Sequence, residues 1–266
     1  MKIAIFIKKA SLRSDPRLLS LERELSGCEM YLVGSEDDLH PDTDMLLSVG
    51  GDGTFLSAAR ILAGRDIPVL GVNLGRLGFL SENRPEDIAE PLLRGEYVIE
   101  DREMLSVSEN GGVPRAALNE VCVKGMSSSM LGVDVSIDGV ALPTCWADGM
   151  LVATSSGSTA YALSVGGPIC TPDSSVLIIA PIAPHNLNVR PLIVPATATV
   201  QLSVHSRQES VALSLDNCSR VVPSDVKLDV SVAQFSLKRV RLPKSDFIGA
   251  LKSKLFWGED VRNEIE

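Results

Sequence analysis

The sequence predicts two different domains, a parallel α/β domain followed by an all-β, sandwich-like domain. Over the first 95 residues, short apolar strands alternate with segments that carry helical periodicity. From about residue 96 to residue 244 the apolar period changes to two, which is typical of half-buried strands. The tail then returns to a helical pattern. We therefore expect an α/β domain over 1–95 that is completed by 245–266, and an all-β domain over 96–244.

The first domain is expected to have its strands parallel, because helices separate them. One helix is predicted from its N-cap and first-turn proline, Ser14-Asp15-Pro16, to Gly27, and another from Pro85 to Gly95. Ligands of such sheets bind at the carboxyl ends of the strands. The loops at 50–54 and 73–80 lie at such ends. The remaining predicted elements are strands at 2–7, 30–33, 45–49 and 68–72 and a helix at 55–63.

The second domain shows strict alternation of apolar and polar residues. The strand at 133–137 is followed by Asp138-Gly139, a hairpin turn pair. The same alternation returns at 211–215 and 226–232. In the tail, apolar residues recur at helical spacing from Phe247 to Leu255, so that helix is expected to lie on the first domain. Its lysines are expected to form a solvated face.

Composition excludes several classes of protein. The chain has 266 residues, of which 45% are hydrophobic and 22% charged, so it can form a globular core. Its net charge of −9 argues against nucleic acid or an acidic membrane as partner. Five scattered cysteines without a C-x-x-C pair indicate neither a disulfide framework nor a zinc site. The N-terminus looks like a strand rather than a signal peptide, and no apolar run is long enough to span a membrane, so a cytoplasmic protein is expected.

The segment Gly50-Gly51-Asp52-Gly53-Thr54 joins a buried strand to a helix. Backbone N–H groups at such a turn bind phosphate, and glycines let a polyanion approach closely. A carboxylate repels phosphate, so Asp52 is expected to take a proton from an attacking hydroxyl or to hold a metal ion. The alternative is a tight turn in which Asp52 caps the helix.

Two further polar groups lie in the all-β half. Asn119 and Glu120 interrupt an apolar strand and could bind a nucleoside, although an edge strand with both side chains in water is the simpler interpretation. Asp148 opens another strand, which leads into a hydroxyl-rich loop at 154–159. Tyr161 could flank a planar base, with Ser164 one helical turn further on. Loops of this composition are often only loops.

The sequence contains neither a Walker A motif nor a G-x-G-x-x-G turn after a strand. It does contain a series of short blocks, in a fixed order over nearly its whole length: Gly50–Thr54, Asn73–Leu80 with Leu77-Gly78-Phe79, Asn119-Glu120, Asp148-Gly149, Gly157-Ser158-Thr159-Ala160-Tyr161, Gly166-Gly167-Pro168, Pro181-Ile182, Pro184-His185 and Arg190-Pro191-Leu192. With these blocks in this order, the chain resembles the bacterial NAD kinases.

The resemblance implies an N-terminal domain like those of phosphofructokinases and diacylglycerol kinases. It also implies transfer of the ATP γ-phosphoryl group to the 2′-hydroxyl of the adenosine ribose of NAD, which gives NADP. Asp52 matches the proposed general base. Gly50, Gly51, Gly53 and Thr54 match the loop that handles the ATP phosphates. The positions that match NAD-binding residues are Asp52, Gly53, Phe79, Asn119, Glu120, Asp148, Thr159, Ala160, Tyr161 and Ser164.

The resemblance further implies Mg²⁺ or another divalent cation on the ATP phosphates rather than on protein ligands, and a homodimer or homotetramer. Four residues depart from the family pattern: Met130, Trp146, Ser155 and Cys218. Ser155 replaces a proline, which should loosen the start of the hydroxyl-rich loop. These departures bear on affinity and on the choice between NAD and NADH.

Two other functions remain open on the residues. Lipid and sugar kinases carry similar Gly-Gly-Asp-Gly turns, but Asn119-Glu120 and Gly157–Tyr161 favour a dinucleotide over a lipid headgroup. The second alternative is a non-catalytic NAD(P)-binding sensor. The intact Asp52 loop favours catalysis over that alternative.

Overall fold

The computed structural model describes residues 1–62, 64–76, 78–127 and 130–258. Some predicted features lie outside the described residues. They are the end of the second predicted helix at Ala63, Leu77 of the Leu77-Gly78-Phe79 motif, and the tail at 259–266. The strands are β1 (Lys2–Ile7), β2 (Glu29–Val33), β3 (Met45–Val49), β4 (Val69–Val72), β5 (Val98–Glu109), β6 (Arg115–Ala117), β7 (Glu120–Lys124), β8 (Leu131–Ile137), β9 (Val140–Ala141), β10 (Cys145–Ala147), β11 (Gly149–Thr154), β12 (Val176–Ile182), β13 (Leu192–Pro195), β14 (Val200–His205), β15 (Ser210–Leu215), β16 (Cys218–Pro223) and β17 (Lys227–Arg241).

The α-helices are α1 (Pro16–Glu24), α2 (Asp52–Leu62), α3 (Ala89–Arg94), α4 (Tyr161–Ser164) and α5 (Phe247–Leu255). Short 3₁₀ turns occupy Ala10–Ser14, Glu36–Asp38, Pro85–Asp87 and Ser156–Thr159. Helix starts follow the expected capping chemistry. Asp15 accepts the N–H of Arg17 ahead of α1, and Asp246 accepts those of Ile248 and Gly249 ahead of α5.

One compact unit comprises residues 1–101 and the chain from Leu237 onward. In it β1 pairs with β2 and β3, β3 with β4, and β4 with the end of β17, all in parallel. The expected parallel arrangement is therefore confirmed. Residues of β1, β3 and β4 form a core with apolar faces of α1 and α3. The loops after β3 and β4 emerge at neighbouring carboxyl ends, because these two strands are adjacent.

The second compact unit, residues 102–236, has two antiparallel sheets. One has the order β13-β12-β11-β7-β15-β16. In the other, β14 pairs with β8 and with the first half of β17, and β8 with β9 and β10. Alternate residues of both sheets meet in one apolar core, which gives a β-sandwich. The expected hairpin is present, with Asp138 and Gly139 at φ of 50° and 81°.

The two units divide at Asp101/Arg102 and Ser236/Leu237, whereas the sequence suggested 95/96 and 244/245. Ion pairs of Glu100 with Arg239 and Arg241 lie inside the first unit. These ion pairs connect the start of β5 to the end of β17 within that unit. None of the helices within the described ranges is long and apolar enough to cross a membrane.

Candidate active site

Asp52 lies in the first turn of α2, directly after the buried strand β3. The chain turns at Gly50, whose φ is +151° and where a Cβ would lie 2.4 Å from Thr54 Oγ1. The N–H of Thr54 donates to the Gly51 carbonyl at 2.8 Å and closes the first turn. Gly51 and Gly53 are exposed. The helix begins three residues before the predicted Phe55, so the glycine loop is itself the helix N-terminus.

The carboxylate of Asp52 accepts three backbone hydrogen bonds from the loop after β4. Phe79 N–H donates to Oδ2 at 2.9 Å, and Leu80 and Ser81 N–H donate to Oδ1 at 3.1 and 2.9 Å. Asp52 therefore bonds to a loop remote in sequence rather than capping α2. Three charge-assisted bonds fix the plane of the carboxylate.

The loop after β4 is shaped around this carboxylate. A Cβ on Gly78 would lie 1.8 Å from Asp52 Oδ1, so only glycine fits there. Buried Asn73 holds the loop from inside, donating from Nδ2 to the carbonyls of Arg76 at 2.7 Å and Ser81 at 2.9 Å. Its Oδ1 accepts the N–H of Gly75 at 2.7 Å. A glycine at position 78 is therefore needed for the carboxylate of Asp52 to occupy this position.

In the second unit, Asn119 and Glu120 are 7% and 8% exposed. They lie where the chain enters β7, between β11 and β15, so the expected edge strand in water is wrong. Among the described residues, Asn119 Oδ1 and Glu120 Oε2 have no hydrogen-bond partner. Burial, with the negative charge of Asp216 as a second cause, raises the pKa of Glu120 from 4.5 to about 8. At neutral pH this carboxyl is mostly protonated and can donate as well as accept.

Asp216 is a residue that the sequence did not single out for a role. Its carboxylate accepts the N–H groups of Leu118, Asn119 and Glu120 at 2.9, 2.7 and 3.3 Å. These bonds determine the backbone path that buries Asn119 and Glu120. The turn after β15 that carries Asp216 was visible in the sequence only as an Asp-Asn pair, and its partners lie far away along the chain.

The hydroxyl-rich loop lies against this same backbone. Thr154 Oγ1 donates to the Leu118 carbonyl at 2.6 Å and accepts the N–H of Gly157 at 3.1 Å. The N–H of Thr154 donates to the Asn119 carbonyl at 2.9 Å. A Cβ on Gly157 would lie 2.1 Å from the Asn119 carbonyl oxygen. The loop and the Asn119-Glu120 pair are therefore one packed structure.

The other predicted positions of this unit surround that structure. Thr159, Ala160 and Tyr161 are half-buried at the junction of a 3₁₀ turn and α4, and Tyr161 N–H bonds to the Glu120 carboxyl. Ser164 is exposed at the end of α4. Asp148 is half-buried just before β11. Two short helical turns, Ser156–Thr159 and Tyr161–Ser164, lie within this all-β unit, and the second agrees with the predicted spacing of Tyr161 and Ser164 by one helical turn.

The four atypical residues differ in burial. Ser155 is 2% exposed and donates to the Pro172 carbonyl at 3.1 Å, so its side chain is held within the protein. Met130 and Trp146 are exposed, and Cys218 starts β16 half-buried. In the described ranges, no group of three or more His, Cys, Asp or Glu residues could hold a metal ion.

Comparison with known families assigns both units. The ATP-NAD kinase N-terminal domain matches residues 21–97 and the ATP-NAD kinase C-terminal domain matches residues 118–242. The NAD kinase of Flavobacterium psychrophilum is 39% identical over 86% of this chain and 81% of its own length. That of Porphyromonas gingivalis is 39% identical over 98% of this chain and 99% of its own.

Solved structures agree with the fold. A yeast NADH kinase complexed with NADH superposes with a TM-score of 0.86 at 22% identity, covering 98% of this chain and 89% of that one. An Archaeoglobus fulgidus NAD kinase in complex with ATP superposes with a TM-score of 0.78 at 28% identity, covering 92% and 95%. The predicted fold class is confirmed. Through its identity with these relatives over most of its length, the chain belongs to the ATP-NAD kinase family.

Proposed function

We propose that this chain transfers the γ-phosphoryl group of ATP to the 2′-hydroxyl of the adenosine ribose of NAD, with Asp52 as the general base. ATP-dependent phosphorylation of NAD is the activity of the family to which the chain belongs. A lipid kinase or a non-catalytic NAD(P) sensor is not favoured by these relatives. The observation that carries the proposal is the carboxylate of Asp52, held by three backbone N–H groups at a glycine-rich helix N-terminus.

The hydrogen bonds leave Asp52 able to act as a base. An ionised carboxylate has about four lone-pair positions. Among the described residues, Phe79, Leu80 and Ser81 use three of them, which leaves one position for the proton of an attacking hydroxyl. Because the carboxylate cannot rotate without breaking these bonds, the free position keeps one direction. A base that is oriented in advance contributes most when the reacting hydroxyl is also held.

Phosphate handling is assigned to Gly50, Gly51, Gly53 and Thr54. The N-terminal end of an α-helix carries partial positive charge, which attracts phosphate groups. Helix α2 has eleven residues, and the exposed Gly51 and Gly53 lie at its N-terminal end. Mg²⁺, which enters as part of the ATP substrate, neutralises phosphate charge that would otherwise repel Asp52.

NAD binding is assigned to the second unit's polar cluster, and to Asp52, Gly53 and Phe79 of the first. Buried amide and carboxyl oxygens without partners favour a ligand that brings hydroxyl and amino groups. A protonated Glu120 both donates to and accepts from such groups, and Asn119 offers an amide edge that matches adenine. The remaining assigned positions of this cluster are Asp148, Thr159, Ala160, Tyr161 and Ser164.

The protein is further proposed to act in the cytoplasm as a homodimer or homotetramer. The second unit exposes apolar side chains such as Leu187, Val140 and Val221, which are the positions to substitute in a test of the interface. Light scattering of the purified protein measures its oligomeric state. A monomer at micromolar concentration would contradict the proposed homodimer or homotetramer.

The test of the function is NADP formation from ATP, Mg²⁺ and NAD, with diacylglycerol as the competing acceptor. Asp52→Asn should lower kcat by about 10²–10⁴-fold, the range for a general base. Asp66→Asn, an exposed carboxylate of the same unit, serves as the matched control and should leave kcat unchanged. Undiminished turnover by the Asp52→Asn enzyme would contradict the assignment of Asp52 as the base. Acceptance of diacylglycerol but not NAD would contradict the assignment of NAD as the substrate.

A further inference from the structure

Two lysines on the last turns of α5 have different surroundings. Lys252 is exposed, as the sequence predicted for the lysines of the tail. Lys254 is half-buried, and its Nζ donates to the carbonyl oxygen of Gly78 and lies 4.8 Å from the centroid of the Phe79 ring. Burial lowers the pKa of Lys254, while the charges of Glu82 and Asp52 act to raise it. For Lys254, then, the prediction of a solvated face is wrong.

The peptide group between Gly78 and Phe79 connects Lys254 to Asp52. Its carbonyl oxygen accepts from Lys254, and its N–H donates to Asp52 Oδ2 at 2.9 Å. Because a peptide group is planar and rigid, fixing its oxygen also fixes the direction of its N–H. A cation on the oxygen also polarises the peptide and strengthens the N–H as a donor.

The acidic residue that acts most strongly on Lys254 already has another partner. Among the acidic groups, Glu82 raises the pKa of Lys254 most, but its carboxylate bonds to the guanidinium of Arg239. Arg239 in turn bonds to Glu100 at 3.1 Å. Glu82 therefore stabilises Lys254 at longer range without drawing its ammonium group away from Gly78. The ring of Phe79, itself 6.2 Å from that of Phe247, covers the ammonium group from one side.

We propose that Lys254 is a positioning residue for phosphoryl transfer, which fixes the Gly78–Phe79 peptide and through it the carboxylate of Asp52. This inference rests on the proposed role of Asp52 as the base. Lys254 acts through a backbone group and needs no contact with substrate. Its removal should therefore lower kcat and leave the KM values for ATP and NAD largely unchanged.

The experiment compares three single variants. Lys254→Met removes both charge and donors and should lower kcat about 10²-fold, the cost of misplacing a catalytic group by about 1 Å. Lys254→Arg keeps a cation with donors and should recover most of the loss. Lys252→Met, on the same helix, is the matched control and should behave as wild type. If the Met variant does not fold, Lys254→Gln, which keeps a neutral donor, takes its place.

Two further measurements separate this inference from the function itself. In an Asp52→Asn background, Lys254→Met should have little further effect on kcat, because both changes act on one group. Amide hydrogen exchange at Phe79 should accelerate in the Lys254→Met protein and not in Lys252→Met. Wild-type kcat and unchanged exchange in Lys254→Met would overturn the proposal. Accelerated exchange together with an active Asp52→Asn enzyme would instead overturn only the role of Asp52.

Discussion

Replacing Gly78 with alanine tests the geometry of the base most directly. The added Cβ would lie 1.8 Å from Asp52 Oδ1, 2.3 Å from Cγ and 2.6 Å from Oδ2. Real Cβ atoms essentially never approach another heavy atom closer than 3.0 Å. The carboxylate or the loop must therefore move by about 1.2 Å, which follows from the difference between these distances. That movement breaks the alignment of the three N–H donors with the carboxylate.

The expected loss follows from that displacement. A shift of about 1 Å in a catalytic group can cost about 10²-fold in rate, so kcat of Gly78→Ala should fall by about that factor. The KM for ATP should change little, because the glycines at the start of α2 are untouched. A coupled assay that consumes NADP with an NADP-specific dehydrogenase measures kcat, and thermal unfolding measures any loss of stability.

Gly75→Ala is the matched control. It lies in the same loop, but the nearest neighbour of its added Cβ is Asn73 Oδ1 at 3.7 Å, which is an ordinary contact. This variant should keep wild-type activity. Equal losses in both variants would show that the loop tolerates no change anywhere. Wild-type kcat in Gly78→Ala would refute the argument that Asp52 works in the geometry described.

Two other predictions concern the second unit. Gly157→Ala places a Cβ 2.1 Å from the Asn119 carbonyl oxygen and should raise the KM for NAD about tenfold, or about 1.4 kcal/mol, with the KM for ATP as the internal control. An unchanged KM for NAD would contradict the assignment of this cluster. Glu120, with its pKa raised to about 8, holds its proton in the folded protein after the unfolded chain has released it near pH 4.5. The free energy of unfolding should therefore fall as pH rises from about 4.5 to about 8, by at most about 1.4 kcal/mol per pH unit. Chemical denaturation at several pH values measures this fall, and the Glu120→Gln protein should not show it.

Features that depend on neighbouring residues could be predicted from the sequence. The buried strands β1 and β3 were predicted with the bounds that the structure has, because apolar runs between turn residues mark them. The hairpin at Asp138-Gly139 was predicted for the same reason. Helix α2 was predicted to start too late, because its polar first turn, Asp52 to Thr54, carries no apolar periodicity.

Features that depend on distant residues could not be predicted in this way. The burial of Asn119 rests on Asp216, 97 residues further along the chain. No local pattern distinguishes that pair from an exposed one. The partners of Asp52 lie 27 to 29 residues away, in a loop that was expected to bind a ligand and not to supply hydrogen bonds to Asp52.

The position of Lys254 could have been predicted from the sequence but was not. Its spacing along the helix indicated burial, whereas the prediction followed its residue type. Residues 247, 251 and 254 follow the spacing i, i+4, i+7, which places Lys254 on the apolar side of α5. Lysine is usually exposed, so residue type outweighed position in the prediction. Helical spacing should have the greater weight when the side chain is long enough to carry its charge past an apolar ring to a carbonyl oxygen.

The proposed role of the first unit requires a protein with a net charge of −9 to process polyanions. Local positive potential comes from backbone groups, namely the N-terminal end of the α2 dipole and the N–H groups of Phe79 to Ser81. Such groups are fixed by the fold, so they need no reorganisation during the reaction, unlike long cationic side chains. The N–H groups of Phe79 to Ser81 also hold the carboxylate of Asp52, the proposed base. Lys254 fits this arrangement, since its ammonium group lies on a peptide oxygen and reaches Asp52 through the backbone.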